Sequence, residues 1–166
     1  MARFERIDPG YYRAPNSTIV GDVKIGQNSS IWFGAVIRGD VAPVVIGQRT
    51  NVQDNAVIHC DTGFPNIIED DVVIGHGAIV HGISVGKGSL IGMGSTLLSR
   101  SVIGRGCLIA AGAVVAPDMK VPDGMLVMGV PGKIIRPVKP DELEYMQWLI
   151  GHYQELAEQY AAGKFD

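Results

Sequence analysis

Three of the four histidines in the sequence, His59, His76 and His81, lie in one short stretch of the chain. Neutral imidazoles are common zinc ligands, and three of them around one ion leave a coordination position open for water. An ion held in this way lowers the pKa of its water to near neutrality, so that hydroxide forms without a strong base. The three histidines therefore predict a metal site that supplies a nucleophilic hydroxide.

These histidines are carried on a repeat of six residues. A large aliphatic residue, which we call the anchor, recurs mostly at this interval, and the residue four positions later is usually small. Gly often follows the anchor directly and is interpreted as a turn residue, so each hexad predicts one short strand and a corner. Three hexads would close one triangular coil, giving five to six stacked coils over about residues 17–127. The anchors are Ile19, Ile25, Ile31, Ile37, Ile46, Val52, Ile58, Ile68, Ile74, Val80, Val85, Ile91, Leu97, Ile103, Ile109, Val115 and Val121.

The phase of the repeat predicts where the candidate ligands point. Counting three hexads per coil places Arg38, His59 and His81 in one outward column, each directly after an anchor. Asp54 and His76 each lie two residues after an anchor of a second face. Adjacent coils are separated by about 4.8 Å, so His59 and His81 could reach one metal ion, whereas His76 could not join them in a monomer. In a homotrimer, His76 of one subunit could join His59 and His81 of its neighbour, so that each site is completed by two subunits.

The end of the chain follows a different pattern. From Leu143 to Tyr160, apolar residues recur at intervals of three and four, which predicts an amphipathic helix over about residues 140–162. Its apolar stripe must pack on its own β-helix or on a neighbouring subunit. His152 lies on this helix and is interpreted as a surface side chain.

Composition limits the remaining possibilities. The chain has 166 residues, 46% of them hydrophobic, with a net charge of −3 and no basic cluster, which argues for a single domain (1–166) and against nucleic acid as a partner. Neither a signal pattern nor a membrane-length apolar run is present, so a cytoplasmic location without membrane contact is expected. Cys60 and Cys107 form no CxxC pair and are expected to be unpaired thiols.

Several segments resemble the γ-class carbonic anhydrases: IRGDVAPVVIG, NVQDNAVIH, VVIGHGAIVHG, IGMGS and, in the last helix, HYQELAEQY. The resemblance implies an all-β fold, a left-handed parallel β-helix of hexapeptide repeats followed by a C-terminal α-helix. It implies zinc, with iron or cobalt as alternatives, held by His59, His76 and His81 between the subunits of a homotrimer. The implied reaction is the reversible hydration of carbon dioxide to bicarbonate.

The resemblance also assigns roles to residues around the metal. Gln53 matches a glutamine that hydrogen-bonds the water on the metal, and Asn51 and Tyr153 match positions near the site. Arg38 and Asp40 match an RGD segment, and Asp54 is expected to pair with Arg38 across the subunit interface. A guanidinium holds a carboxylate through two parallel hydrogen bonds, so this pair would fix the register of the trimer.

The chain departs from the best-known type of this family because acidic loops that carry protons from the metal to solvent are absent. After His59 the loop reads CDTGFPN, in which Asp61 is the only acid. Proton transfer would then depend on buffer, on Tyr153 or on a short water chain, and turnover could be slow.

Two other kinds of function stay open. Many hexapeptide-repeat proteins transfer acyl groups from coenzyme A, and the segment GVPGKIIRP resembles the exit from their β-helix. An acyltransferase needs only one catalytic histidine, and thioester hydrolysis by the same metal centre is a further possibility. The second is a non-catalytic scaffold that retains the metal site, because β-helix faces offer broad docking surfaces.

Overall fold

A computed structural model describes residues 3–165. These residues form a β-helix of about six turns and a single helix, α1 (Pro140–Ala161). The strands are β1 (Glu5–Ile7), β2 (Tyr11–Arg13), β3 (Thr18–Ile25), β4 (Ser30–Ile31), β5 (Val36–Ile46), β6 (Asn51–Val52), β7 (Val57–Ile58), β8 (Asn66–Ile68), β9 (Val73–Ile74), β10 (Ile79–Val80), β11 (Ser84–Val85), β12 (Leu90–Ile91), β13 (Thr96–Leu97), β14 (Val102–Ile103), β15 (Leu108–Ile109), β16 (Val114–Val115), β17 (Lys120–Val121), β18 (Met125–Met128) and β19 (Lys133–Pro137).

The strands are arranged on three faces. One face, here called the helix-covered face, has the order β2-β4-β6-β9-β12-β15-β18, with β1 and β19 added antiparallel at its ends. The paired-histidine face consists of β7, β10, β13 and β16, and the third face of β8, β11, β14 and β17. Strand β5 belongs to both, because Val36–Ile37 pairs with β7 and Val44–Ile46 pairs with β8. The predicted triangular β-helix is confirmed.

The interior is a ladder of the predicted anchors. The largest fully buried side chains include Ile37, Ile58, Ile74, Ile91 and Leu97, and nearly all other anchors are also buried. Register pairs such as Ile58 with Val80 and Ile74 with Ile91 stack anchor on anchor in successive coils. Full burial of such a side chain is worth about 1.5–3 kcal/mol, so the ladder is the main source of stability.

The glycines that follow the anchors have a different role from the one expected. Gly92 does not lie in the left-handed region; a Cβ there would lie 2.5 Å from the carbonyl oxygen of Ile109 and 2.6 Å from the nitrogen of Ala111. The left-handed residue is instead three positions after the anchor, as at Gly77 (φ 65°) and Asn55 (φ 58°). Gly therefore follows the anchor because the next coil approaches closely, and a later residue makes the turn.

Helix α1 packs along its own β-helix and contacts β2, β4, β6 and β9, which decides between the two packing partners left open by the sequence. Met146 and Ala157 are its buried residues. Trp148 is more than half exposed within the single chain, so its ring does not pack on the coils. No helix within residues 3–165 is both long enough and apolar enough to span a membrane.

The start of α1 is fixed by Glu142. The backbone N–H of Lys139 donates to the Glu142 carboxylate at 2.7 Å, and the Arg136 guanidinium donates two hydrogen bonds to the same carboxylate. These contacts lower the pKa of Glu142 to about 2, with the Arg136 hydrogen bonds as the largest cause. Glu142 satisfies a backbone donor that the helix itself cannot satisfy.

Candidate metal centre

His59 and His81 lie side by side on the paired-histidine face. Each follows the anchor of its strand, and those anchors, Ile58 and Val80, are register partners. The backbone N–H of His59 donates to the carbonyl oxygen of Val80, and the N–H of His81 donates to that of Leu97, so both backbones are held in the ladder. The two imidazole centroids are 5.2 Å apart. This is the juxtaposition that the repeat phase predicted.

The Nε2 atom of His59 has two competing partners. Asp40 Oδ1 lies 2.9 Å from it and can accept a proton from it, whereas an Arg38 N–H lies 3.1 Å away and requires a lone pair there. The two hydrogen bonds exclude each other because Nε2 is either protonated or not. Arg38 also contacts Asp40 at 3.3 Å. The form that accepts from Arg38 carries the lone pair that a metal ion needs.

Asp61 is the corresponding partner of His81. Its Oδ1 lies 3.1 Å from His81 Nε2, and the Ser99 hydroxyl donates to the same oxygen at 3.4 Å. The hydrogen bond with His81 is the main reason that the pKa of Asp61 is below its usual value, as the one with His59 is for the pKa of Asp40. Both carboxylates are therefore weak proton acceptors beside the histidine pair.

His76 lies just beyond β9, on the helix-covered face. Its Nδ1 is 2.8 Å from Asp54 Oδ2, and its Nε2 is 3.2 Å from the hydroxyl of Tyr153. A carboxylate accepts only, so these partners assign the proton of a neutral His76 to Nδ1 and leave the lone pair on Nε2. A carboxylate behind one imidazole nitrogen commonly orients the other nitrogen toward a metal. His76 is therefore prepared to be a ligand through Nε2.

Tyr153 reaches His76 because an aromatic cluster holds the second half of α1. The ring of Trp32 lies edge-on to the rings of Tyr153 and Tyr160, with centroid distances of 5.1 Å and 5.5 Å. The ring centroid of Phe4 is 4.9 Å from that of Trp32. Burial is the largest cause of the raised pKa of Tyr153, with the nearby negative charge of Asp54 as a second cause. The phenol therefore keeps its proton near neutral pH and can donate a hydrogen bond.

Gln53 and Asn51 lie beneath α1 and form a buried amide pair. Gln53 Nε2 donates to Asn51 Oδ1 at 3.1 Å, and Gln53 Oε1 accepts the backbone N–H of His76 at 3.2 Å. These contacts fix which end of the Gln53 amide is oxygen. Asn51 Nδ2 is buried and has no hydrogen-bond partner within residues 3–165. Gln53 uses one of its two N–H groups in these contacts, which leaves the other for a ligand.

The three histidines are divided between two places on the chain. Within residues 3–165, no three His, Cys, Asp or Glu side chains converge on a point where a metal ion could bind. The paired histidines and His76 belong to different faces, as the sequence predicted for a single subunit. Within one chain, Arg38 contacts Asp40 and His59 while Asp54 contacts His76. The pairing of Arg38 with Asp54 between subunits stays a prediction.

A cavity of about 290 Å³ adjoins His76, between α1 and the helix-covered face. Its body is apolar, and one end carries the polar groups of Gln53, His76 and Tyr153. We call it the helix cavity; its other lining residues are Gly75, Leu90, Gly92, Met93, Leu108, Ile109, Ala110, Ala111, Tyr145 and Leu149. The hexad pattern gave no sign of it, because it exists only once α1 is placed against the coils.

The side chains of the two cysteines and of His152 do not contact those of the three candidate metal ligands. Cys60 and Cys107 are buried free thiols, as expected, and burial is the largest cause of the raised pKa of each. Cys60 donates to the carbonyl oxygen of Ala42, so it points into the core although it follows His59. His152 stacks on Trp148 on the surface of α1 at a centroid distance of 4.7 Å.

Comparison with known proteins agrees with the fold. Residues 65–99 match the hexapeptide repeat of succinyl-transferase. A hexapeptide transferase family protein from Anaplasma phagocytophilum is 38% identical with a TM-score of 0.86, covering 90% of this chain and 89% of that one. The fold and the repeat define a hexapeptide-repeat β-helix protein.

Sequence relatives narrow the class further. A carbonic anhydrase from Geobacillus kaustophilus is 48% identical over 87% of this chain and 80% of its own length. Gamma carbonic anhydrase 1, mitochondrial, from Arabidopsis thaliana is 38% identical over 94% of this chain but 59% of its own length, so the chain spans about three fifths of that relative. The chain belongs to the γ-class carbonic anhydrase family.

Proposed function

We propose that the chain catalyses the reversible hydration of carbon dioxide to bicarbonate at a metal site shared between subunits of a homotrimer. His59 and His81 of one subunit and His76 of the next would hold the metal, with zinc as the first candidate and iron or cobalt as alternatives. The observation that carries the proposal is the placement of His59 beside His81, with centroids 5.2 Å apart, while His76 faces outward elsewhere with its lone pair on Nε2.

The donor set fits such a metal. Zinc takes neutral imidazole nitrogens readily, and His76 already has the carboxylate support that metal-binding histidines commonly have. When bound, the metal supplies Lewis-acid chemistry that makes water a nucleophile near neutral pH. At His59 and His81, a metal bound through Nε2 requires Asp40, Arg38 and Asp61 to give up their present contacts there.

The other residues of the site orient reactants rather than exchange protons. Gln53 presents a neutral amide whose ends are fixed by Asn51 and the His76 backbone, so its free N–H can hold an oxygen without competing for a proton. With His76 Nε2 committed to a metal, the Tyr153 hydroxyl needs another acceptor. An oxygen of substrate or product would supply it. We expect proton release to buffer or through a short water chain, because Asp61 is the only acid in the loop after His59.

Subunit mixing tests the shared site most sharply. His76→Ala and His81→Ala trimers, each inactive, are mixed, dissociated and reassembled. A site built from two subunits is restored wherever a His76→Ala subunit contributes His59 and His81 and its neighbour contributes His76. Random assembly around a closed ring restores about one quarter of the sites. Recovery of zinc and hydration activity is the expected result, and a mixture as inactive as its parents would refute the shared site.

Acyl transfer is the second candidate, favoured by the likeness to a hexapeptide transferase family protein. An acyltransferase would use one histidine as a base and would not need the other two. Acetyl-coenzyme A turnover that survives both His59→Ala and His81→Ala but not His76→Ala would support it. Thioester hydrolysis that needs all three histidines would instead point to another substrate of the same metal centre. Metal binding without turnover of any of these substrates would favour the non-catalytic scaffold function.

A further inference from the structure

The helix cavity is much larger than carbon dioxide requires. Its volume is about 290 Å³, whereas an apolar cavity of about 150 Å³ is enough to hold benzene. Small residues line the cavity on the side of the coils. Gly92 and Ala110 are two of them, and each follows an anchor of the helix-covered face in successive coils. The outward side chains of Leu90 and Leu108, which are register partners, and Leu149 of the helix form apolar walls. A hydrocarbon group of six to eight carbons has room there.

The polar end of the cavity selects the chemistry of the ligand's head group. Gln53 offers a free N–H, and Tyr153 offers its O–H once a metal takes the Nε2 lone pair of His76. The cavity lining contains neither Asp nor Glu, and the nearby Asp54 carboxylate is engaged by His76 Nδ1. Neutral donors at the end of an apolar cavity favour an acceptor-only group, and a carboxylate accepts through both oxygens. Amines and other cations find no acceptor of opposite charge among the lining residues.

We propose that the helix cavity binds medium-chain aliphatic monocarboxylates, with the alkyl chain between α1 and the coils and the carboxylate against Tyr153 and Gln53. The cavity is built by one chain, so the alkyl chain binds whether or not the protein hydrates carbon dioxide, whereas the Tyr153 hydrogen bond requires a metal on His76 Nε2. Binding would place the carboxylate next to His76, and such acids would therefore compete with bicarbonate in the assembled enzyme.

Calorimetric titration with acetate, butyrate, hexanoate, octanoate and decanoate tests the proposal on zinc-loaded and on metal-free full-length protein. Each buried CH₂ should tighten binding by up to about fourfold, and affinity should level off once the cavity is filled. Hexanol should bind more weakly than hexanoate. Equal affinities for acetate and octanoate would show simple anion binding and would overturn the proposal, as would equal binding of hexanol and hexanoate.

Two matched variants locate the binding. Ala110 follows the anchor Ile109 and lines the cavity, so Ala110→Phe should fill it and reduce octanoate affinity at least tenfold. Ala116 follows the anchor Val115 in the same way without lining the cavity, and Ala116→Phe should bind as wild type does. An equal loss in both variants would place the ligand elsewhere. If Ala110→Phe does not fold, the chain-length series on the wild type still decides. A protein that hydrates no carbon dioxide yet shows the chain-length dependence would refute the proposed reaction and leave this inference standing.

Discussion

The hydroxyl of Tyr153 in α1 lies 3.2 Å from Nε2 of His76, which is part of the β-helix. The helix thus contributes directly to the candidate metal centre and is more than a structural brace. Because Asp54 accepts a hydrogen bond from the Nδ1–H of His76, Tyr153 marks the nitrogen at which a metal would bind.

Tyr153→Phe should keep the fold and the metal while lowering the carbon dioxide hydration rate about 2–12-fold. That is the loss expected for one hydrogen bond of about 0.5–1.5 kcal/mol. Tyr145→Phe is the matched control, since this tyrosine lines the same cavity from the same helix. Equal rates for the two variants, measured by stopped flow on zinc-counted samples, would argue against a role for the Tyr153 hydroxyl.

Gln53→Ala should retain zinc and lower the hydration rate about 10–100-fold, the usual loss when a supporting partner of a metal site is removed. Gln53→Glu is the informative companion because it keeps the size but can place a negative charge beside the site. Zinc content and rate are measured together. Unaltered kinetics in both variants would remove Gln53 from the mechanism.

Arg38→Ala should weaken the trimer about 10–100-fold if its partner across the interface is Asp54, since hydrogen bonds between charged groups contribute about 1.5–3 kcal/mol. Arg100→Ala, which removes a guanidinium from the exposed pair with Asp118, serves as the control. Sedimentation at decreasing protein concentration distinguishes them. If both variants keep the mass of the wild type down to the lowest concentration, the proposed pairing fails.

Neighbouring isoleucines in β8 test the ladder. Ile68 is 1% exposed and Ile67 is 45% exposed, so they differ in burial but not in residue type or strand. Ile68→Ala should reduce the free energy of unfolding by about 2–5 kcal/mol, whereas Ile67→Ala should cost less than about 1 kcal/mol. Denaturant titration gives both values. Similar losses would mean that the inward anchors do not dominate stability.

Glu142→Gln should destabilise the protein in a pH-dependent way. The pKa of Glu142 is lowered to about 2 from an ordinary value of 4.5, chiefly by Arg136, so its carboxylate stabilises the folded chain above about pH 4.5. This contribution falls as the pH drops from 4.5 toward 2. The melting temperatures of wild type and variant should therefore differ at pH 7 and converge in acid. A constant difference between pH 7 and pH 3 would contradict the capping role.

Much of the fold follows from the sequence because the anchor interval has one simple physical solution. A hexad places one large residue inside at each strand, and counting three hexads per coil was enough to bring His59 beside His81. The same count placed Asp54 near His76, and the structure gives a 2.8 Å contact between them. Local repetition thus determined which outward side chains share a column.

The remaining features depend on contacts between distant parts of the chain. Close approach of the next coil explains Gly92, and only the stacked coils reveal it. The capping partner of α1 is Glu142 because Arg136, at the end of the β-helix, reaches it. The helix cavity needs α1 in position. The subunit contacts proposed for Arg38 and His76 would require a second chain, so neither the hexad count nor a single chain can supply them.

Metal-dependent hydration by this chain can be measured by stopped flow with carbon dioxide and anaerobically purified protein, with metal counted in the same sample. The wild type and His81→Ala are compared after loading with zinc or iron. We predict hydration in proportion to bound metal in the wild type, and loss of both metal and hydration in His81→Ala. Full metal occupancy of the wild type without hydration would show that the chain binds the metal but is not a carbonic anhydrase.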